Sequence, residues 1–131
     1  MLVGSKRRPG PGNWFEPTVV TGVNHTMELM REESFGPVIG IQKVKDDAEA
    51  LALMNDTRYG LTAGVYTRDE ARARAILAKV NAGTVYWNCC DRVSPRLPWS
   101  GVGDSGVGLT LSTYGIQTFT RPRAWHLRQP G

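Results

Sequence analysis

Cys89 and Cys90 are the only cysteines in 131 residues, and His25 and His126 the only histidines. A thiolate attacks carbonyl carbon when a neighbouring base or cation lowers its pKa. Nothing in the spacing brings either histidine to the cysteine pair, so both thiols are expected to be unreactive. Zinc binding needs four ligands at characteristic intervals, and this set does not have them, so no metal site is expected. Neighbouring cysteines rarely satisfy disulfide geometry, which favours a reducing compartment such as the cytoplasm. The other pairing able to do chemistry is Glu33 beside Phe35, a carboxylate two residues from an aromatic ring. On residue type alone, Glu33 reads as a turn cap and Phe35 as a core ring.

The elements that must position these residues are clearest in the middle of the chain. Residues 1 to 14 are rich in Gly, Pro and basic side chains. They read as a loop or strand end that expects something before it. Thr18, Val19, Val20 and Thr21 carry an extended signal, and His25 to Met30 suits about one helical turn. Val38 to Val44 is β-rich. Asp46 and Glu49 have capping-box spacing and predict a helix over Asp47 to Asn55, with Leu51 and Met54 on one side. Arg58, Tyr59 and Gly60 should stop it, Gly60 being free to take a positive φ. Thr62 to Tyr66 is the next strand. Thr67 and Glu70 predict a second cap and a helix to about Val80, with Gly83 closing it. Thr84 to Asn88 is a third strand. Strand, helix, strand, helix, strand predicts an α/β fold with a three-stranded parallel βαβαβ core. Its ligand sites would lie at the C-terminal strand ends, near Lys45, Thr67 and Asn88. Residues 91 to 108 should be a long loop, Leu109 to Tyr114 a short helix, and Gln117 to Arg123 a strand forming a C-terminal β arm.

Composition narrows the function classes. The chain is 40% hydrophobic and 21% charged, so it suits a globular domain rather than a disordered one. No apolar run reaches the ~20 residues of a membrane-spanning helix, and no signal peptide is expected. The net charge is +4 and the pI about 9.4. Much of that excess sits in Lys6, Arg7, Arg8, Arg121, Arg123 and Arg128. With no nucleic-acid module beside it, the charge reads as solvated ends or a surface for a partner chain.

Five blocks then carry a resemblance. Glu32-Glu33-Ser34-Phe35-Gly36-Pro37 resembles the Glu-Glu-x-Phe-Gly-Pro motif of the aldehyde dehydrogenase superfamily. Asn55 to Ala63 resembles its Asn-x-Thr-x-Tyr-Gly-Leu-x-Ala block. Ala82 to Asn88 resembles its Ala-Gly-Thr-Val-x-x-Asn strand. Pro98-Trp99-Ser100-Gly101 with Ser105-Gly106-Val107-Gly108 resembles its C-terminal loop, and Tyr114 to Thr120 its last strand. Gly12 to Val19 is similar to the family's Gly-x-Phe-x-Pro-Thr-Val segment, which precedes them. The blocks fall in family order and cover nearly the whole chain.

The resemblance implies part of an aldehyde dehydrogenase domain. About 15–108 would be catalytic-domain core and loop, and about 109–131 a C-terminal helix and oligomerisation strand. The family oxidises an aldehyde to a carboxylic acid with NAD or NADP, through a cysteine thiohemiacetal and thioester. By this likeness Glu33 would accept hydrogen bonds from the nicotinamide ribose hydroxyls, and Phe35 would pack on the nicotinamide ring. Asn88 and Trp99 would belong to the aldehyde pocket, with Trp99 standing where Phe is usual. The family nucleophile, its general base and the dinucleotide-binding region lie upstream of the first motif, and the 31 residues before Glu32 hold no cysteine. No catalytic residue is therefore assigned, and the chain is expected to be an incomplete piece, inactive alone. A homo-oligomer is implied, with no nucleic acid and no membrane. The alternative is a non-catalytic chain that pairs with a full-length aldehyde dehydrogenase through its C-terminal strand.

Overall fold

A computed structural model describes residues 3–90 and 92–131. The chain folds as two compact units, Met1–Thr57 and Arg58–Gly131.

In the first unit, β1 (Thr18–Thr21) pairs in parallel with β2 (Val38–Ile41), Thr18 opposite Val38. The β-branched run makes both strands, and β2 stops three residues short of its expected end at Val44. Ahead of β1 the Gly/Pro-rich segment doubles back on it. Arg7 pairs with Phe15, and Val3 with Val19. Thr18 is buried but satisfied: its hydroxyl donates to the Glu16 carbonyl and accepts from the Ser5 amide, both at 2.8 Å. The expected helical turn is present as α1 (Glu28–Arg31), shifted towards the C-terminus. The next helix, α2 (Asp47–Asn55), has the predicted bounds. Asp46 caps it by accepting from the Glu49 amide at 2.8 Å, and the Glu49 carboxylate reaches back to the Lys45 amide at 2.7 Å. Two otherwise orphaned amides are thereby satisfied.

The second unit opens with β3 (Tyr59–Gly60), which pairs antiparallel with β6 (Val102–Gly103). Gly60 was expected to stop α2 through a positive φ. Instead α2 ends at Asn55 with Asp56 as its C-cap, and Gly60 lies in a strand outside the positive-φ set. Its lack of a side chain matters for a different reason: a Cβ there would run into Val102 and the Asn81 carbonyl. β4 (Thr62–Val65) and β5 (Thr84–Trp87) form a parallel pair in the register Thr62 with Thr84. α3 (Glu70–Leu77) connects them and packs on both, burying Ala73 completely.

Three sequence expectations change. The three-stranded parallel core resolves into two parallel pairs, one in each unit. Neighbours in sequence are neighbours in a sheet only about two-thirds of the time, and β1, left out of the expected core, is the strand beside β2. The short helix lies at α4 (Ser112–Gln117), three residues later than expected. The C-terminal arm over 117–123 is not a strand: Gln117 ends α4, and 121–131 has no regular structure. A strand requires a ladder partner, and no described segment lies along this one.

Candidate functional site

Glu33 and Phe35 sit on the connection from α1 to β2. Both of its ends are fixed by backbone hydrogen bonds. The Glu32 amide donates to the Glu28 carbonyl at 2.8 Å, and the Pro37 carbonyl accepts from the Thr18 amide at 2.7 Å. Between these anchors every side chain from Glu32 to Pro37 is exposed. Phe35 is 94% exposed, so it is not a core ring. No hydrogen bond or ion pair engages Glu33 among the described residues, so it does not cap a turn either. Leaving a whole phenyl ring in water forfeits about 2 kcal/mol of burial. An open carboxylate two residues from an open ring is a surface suited to a flat, hydroxyl-bearing molecule.

Asn88 terminates β5 in the left-handed region, with φ 53°. Its side-chain Oδ1 accepts from the Thr67 amide and its Nδ2 donates to the Thr67 carbonyl, both at 2.9 Å. The indole N–H of Trp87 donates to the same carbonyl at 2.9 Å. One side chain thus extends the β4–β5 ladder past its last residue. After it the chain turns, and Cys89 faces a cavity of about 420 Å³ whose lining includes Tyr86, Arg92, Leu97, Trp99 and Leu111. The structure brings Trp99 to this cavity but leaves Asn88 off its lining. Cys90 is exposed.

The loop carrying Trp99 is held at several points. Trp99 and Thr110 exchange both backbone hydrogen bonds, at 2.8 and 2.9 Å. Gly83 allows the Ser100 backbone to lie against it where a Cβ would overlap the carbonyl. Further along, the Ser105 hydroxyl accepts from the Gly60 amide at 2.9 Å. Asp104 takes both the Arg58 carbonyl, through its own amide at 2.9 Å, and the Arg58 side chain at 3.3 Å. The buried Tyr86 hydroxyl donates to the Arg92 carbonyl at 3.2 Å and fixes the near rim. Sequence reasoning missed Thr67, Arg92, Asp104 and Ser105 as partners. Ser105 had a signal in its place in the Ser-Gly-x-Gly block, and Thr67 in its place at a strand end; Arg92 and Asp104 had none.

His25 stays in the first unit. Its Nε2 donates to the Asp56 carbonyl at 2.7 Å and lies 3.3 Å from that residue's carboxylate. Its ring joins the end of α2 to the segment before α1. His126 is exposed in the tail. Among the described residues no helix is long and apolar enough to cross a membrane.

Comparison with known proteins gives a consistent picture. The profile of the aldehyde dehydrogenase family matches residues 1–125. An aldehyde dehydrogenase of Aspergillus niger is 37% identical over 128 residues, covering 98% of this chain and 26% of the relative. The succinate semialdehyde dehydrogenase [NAD(P)+] of Escherichia coli is 40% identical over 119 residues, 91% of this chain and 26% of the relative. The crystal structure of betaine aldehyde dehydrogenase from Staphylococcus aureus in complex with NAD+ superposes with a TM-score of 0.85 at 34% identity, over 90% of this chain and 24% of that one. The chain therefore spans about a quarter of the length of the proteins it matches.

Proposed function

This chain belongs to the aldehyde dehydrogenase family, and on that premise we propose that it supplies nicotinamide-facing and aldehyde-facing surfaces to an enzyme that oxidises aldehydes to carboxylic acids with NAD or NADP. The observation that carries the proposal is the open pair Glu33 and Phe35 on one anchored connection. The pair fits a nicotinamide riboside. A carboxylate with unoccupied lone pairs accepts from two vicinal hydroxyls, and a bare phenyl face packs against a flat ring. When bound, the nicotinamide accepts the hydride that leaves the oxidised carbon. In this reading Glu33 orients the ribose, Phe35 limits the tilt of the ring, and Trp99 walls the aldehyde pocket. Asn88 acts by setting where the pocket loop begins. Residues about 15–108 form the catalytic-domain part and about 109–131 the part that meets a partner chain. Two free thiols suit a cytoplasmic setting.

The reaction also needs a nucleophile, and Cys89 and Cys90 stand in no motif that would make them one. The 131 residues alone are thus proposed to bind without turning over. Saturation-transfer NMR with nicotinamide mononucleotide tests both halves of the reading. Glu33→Gln should weaken binding about fivefold, the loss of one charge-assisted contact. Phe35→Ala should weaken it about tenfold. An aldehyde added with NAD+ should give no reduced nicotinamide. Unchanged binding in both variants would remove the basis of the assignment, and turnover would place a nucleophile in this chain.

A second reading rests on the tail. Phe119, Trp125 and Leu127 are all at least two-thirds exposed, on a segment with no regular structure. An apolar unpaired segment of this kind is a template for strand addition. It favours pairing with another chain, either a copy of this one or a full-length aldehyde dehydrogenase.

A further inference from the structure

The cavity behind Trp99 has a chemical character more specific than an opening for aldehydes in general. Its walls are mainly apolar: Tyr86, Val93, Leu97, Trp99 and Leu111. Thr84, Cys89, Arg92 and Ser94 interrupt them. Arg92 lies on the rim, its backbone fixed by the buried Tyr86 hydroxyl. Thr84 also contributes to the lining, its hydroxyl enclosed away from solvent and without a hydrogen-bond partner among the described residues. A guanidinium is an always-charged fork matched to a carboxylate. No acidic side chain lies among the described residues lining the cavity.

We propose that this cavity selects an aldehyde carrying a hydrophobic body and a carboxylate, the apolar walls taking the body and Arg92 taking the carboxylate. The inference rests on the reading of Trp99 as a wall of the substrate pocket, and it adds the substrate class. At about 420 Å³ the cavity suits a small aryl or medium-length alkyl group. Arg92 is exposed, so water screens its charge. The expected preference for an anion is therefore about threefold to fivefold rather than the larger factor of a buried pair.

The test uses the whole chain and three probes of one shape: 4-phenylbutanoate, 4-phenylbutan-1-ol and 4-phenylbutylamine. Binding is read by NMR shifts of Trp99 and Tyr86. The acid is expected to bind about threefold to fivefold more tightly than the alcohol, and the amine more weakly than either. Arg92→Gln should erase the acid's advantage and leave the alcohol unchanged. Arg96→Gln, which alters a charge off the cavity lining, should change neither. An acid that binds no better than the alcohol overturns the substrate class while leaving the pocket reading intact. If no probe shifts Trp99 or Tyr86, both the class and the pocket reading fail. An advantage that survives Arg92→Gln shows that another group holds the anion and overturns the role of Arg92.

Discussion

Asn88 substitutes for a residue of the parallel ladder, which is why its type matters. Its amide offers a donor and an acceptor about as far apart as those of a peptide group, and Thr67 uses both. Its φ of 53° is one that Asn adopts more readily than most residues. Asn88→Ala is expected to lower stability by about 1–2 kcal/mol, combining backbone strain with the loss of two hydrogen bonds that water partly replaces. Asn88→Gly should cost less, because it keeps the conformation and loses only the amide. Urea midpoints of the two variants provide the check, and equal losses would count against a conformational role. The position of Asn88 at a strand end was legible in the sequence. Its partner was not, because a side chain bonding to backbone 21 residues away leaves no periodic trace. Glu33 and Phe35 show the opposite case. Residue type suggested a cap and a core ring, and the motif around them contacts to a nicotinamide riboside; the structure leaves both side chains exposed, so they are neither cap nor core.

Elements were more legible than their ends. The capping pair Asp46 and Glu49 placed α2 to the residue, because its signal is local and complete. For α3 two residues competed. Thr67 has the right spacing, but its backbone amide and carbonyl are taken by Asn88 at the end of β4. The chain therefore starts the helix two residues later. Asp69 caps it through the Arg72 amide at 3.0 Å, and the Thr67 hydroxyl accepts from the Asp69 amide at 3.2 Å. Asp69→Ala should cost about 1 kcal/mol, and Thr67→Ala only a few tenths. Thermal unfolding followed by circular dichroism would distinguish them, and the reverse order would assign the cap to Thr67. α4 was displaced for a related reason. Leu111 and Ser112 both have positive φ, at 62° and 54°, so the chain reverses at the start of the helix. No glycine stands at either position to announce the reversal.

At the scale of the whole molecule, what was least legible is how little the chain buries. Val23, Ala73 and Tyr86 are the buried hydrophobic residues, and no large side chain is fully enclosed among the described residues. Ile39 and Ile41 stand exposed on β2, and Val85 and Trp87 on β5. Local patterning predicts which strands form, but not how many of their faces this chain itself covers. The chain spans about a quarter of its relatives' length, and these strand faces stand open to solvent. A hydrophobic dye such as 8-anilinonaphthalene-1-sulfonate should therefore bind the chain strongly at neutral pH, with fluorescence well above that of a compact protein of equal mass. Weak fluorescence would show that these faces are covered in solution.

The paired hydrogen bonds between Trp99 and Thr110 close the excursion of the pocket loop at its base, and the Ser105 hydroxyl pins it midway. Beyond that pin lie Gly106, Val107 and Gly108, with Val107 wholly in solvent. Doubling the length of such a tip costs only about 0.6 kcal/mol of closure entropy. This tip is therefore where evolution or an engineer can insert residues, for a new binding epitope or a label, without disturbing the indole that shapes the cavity.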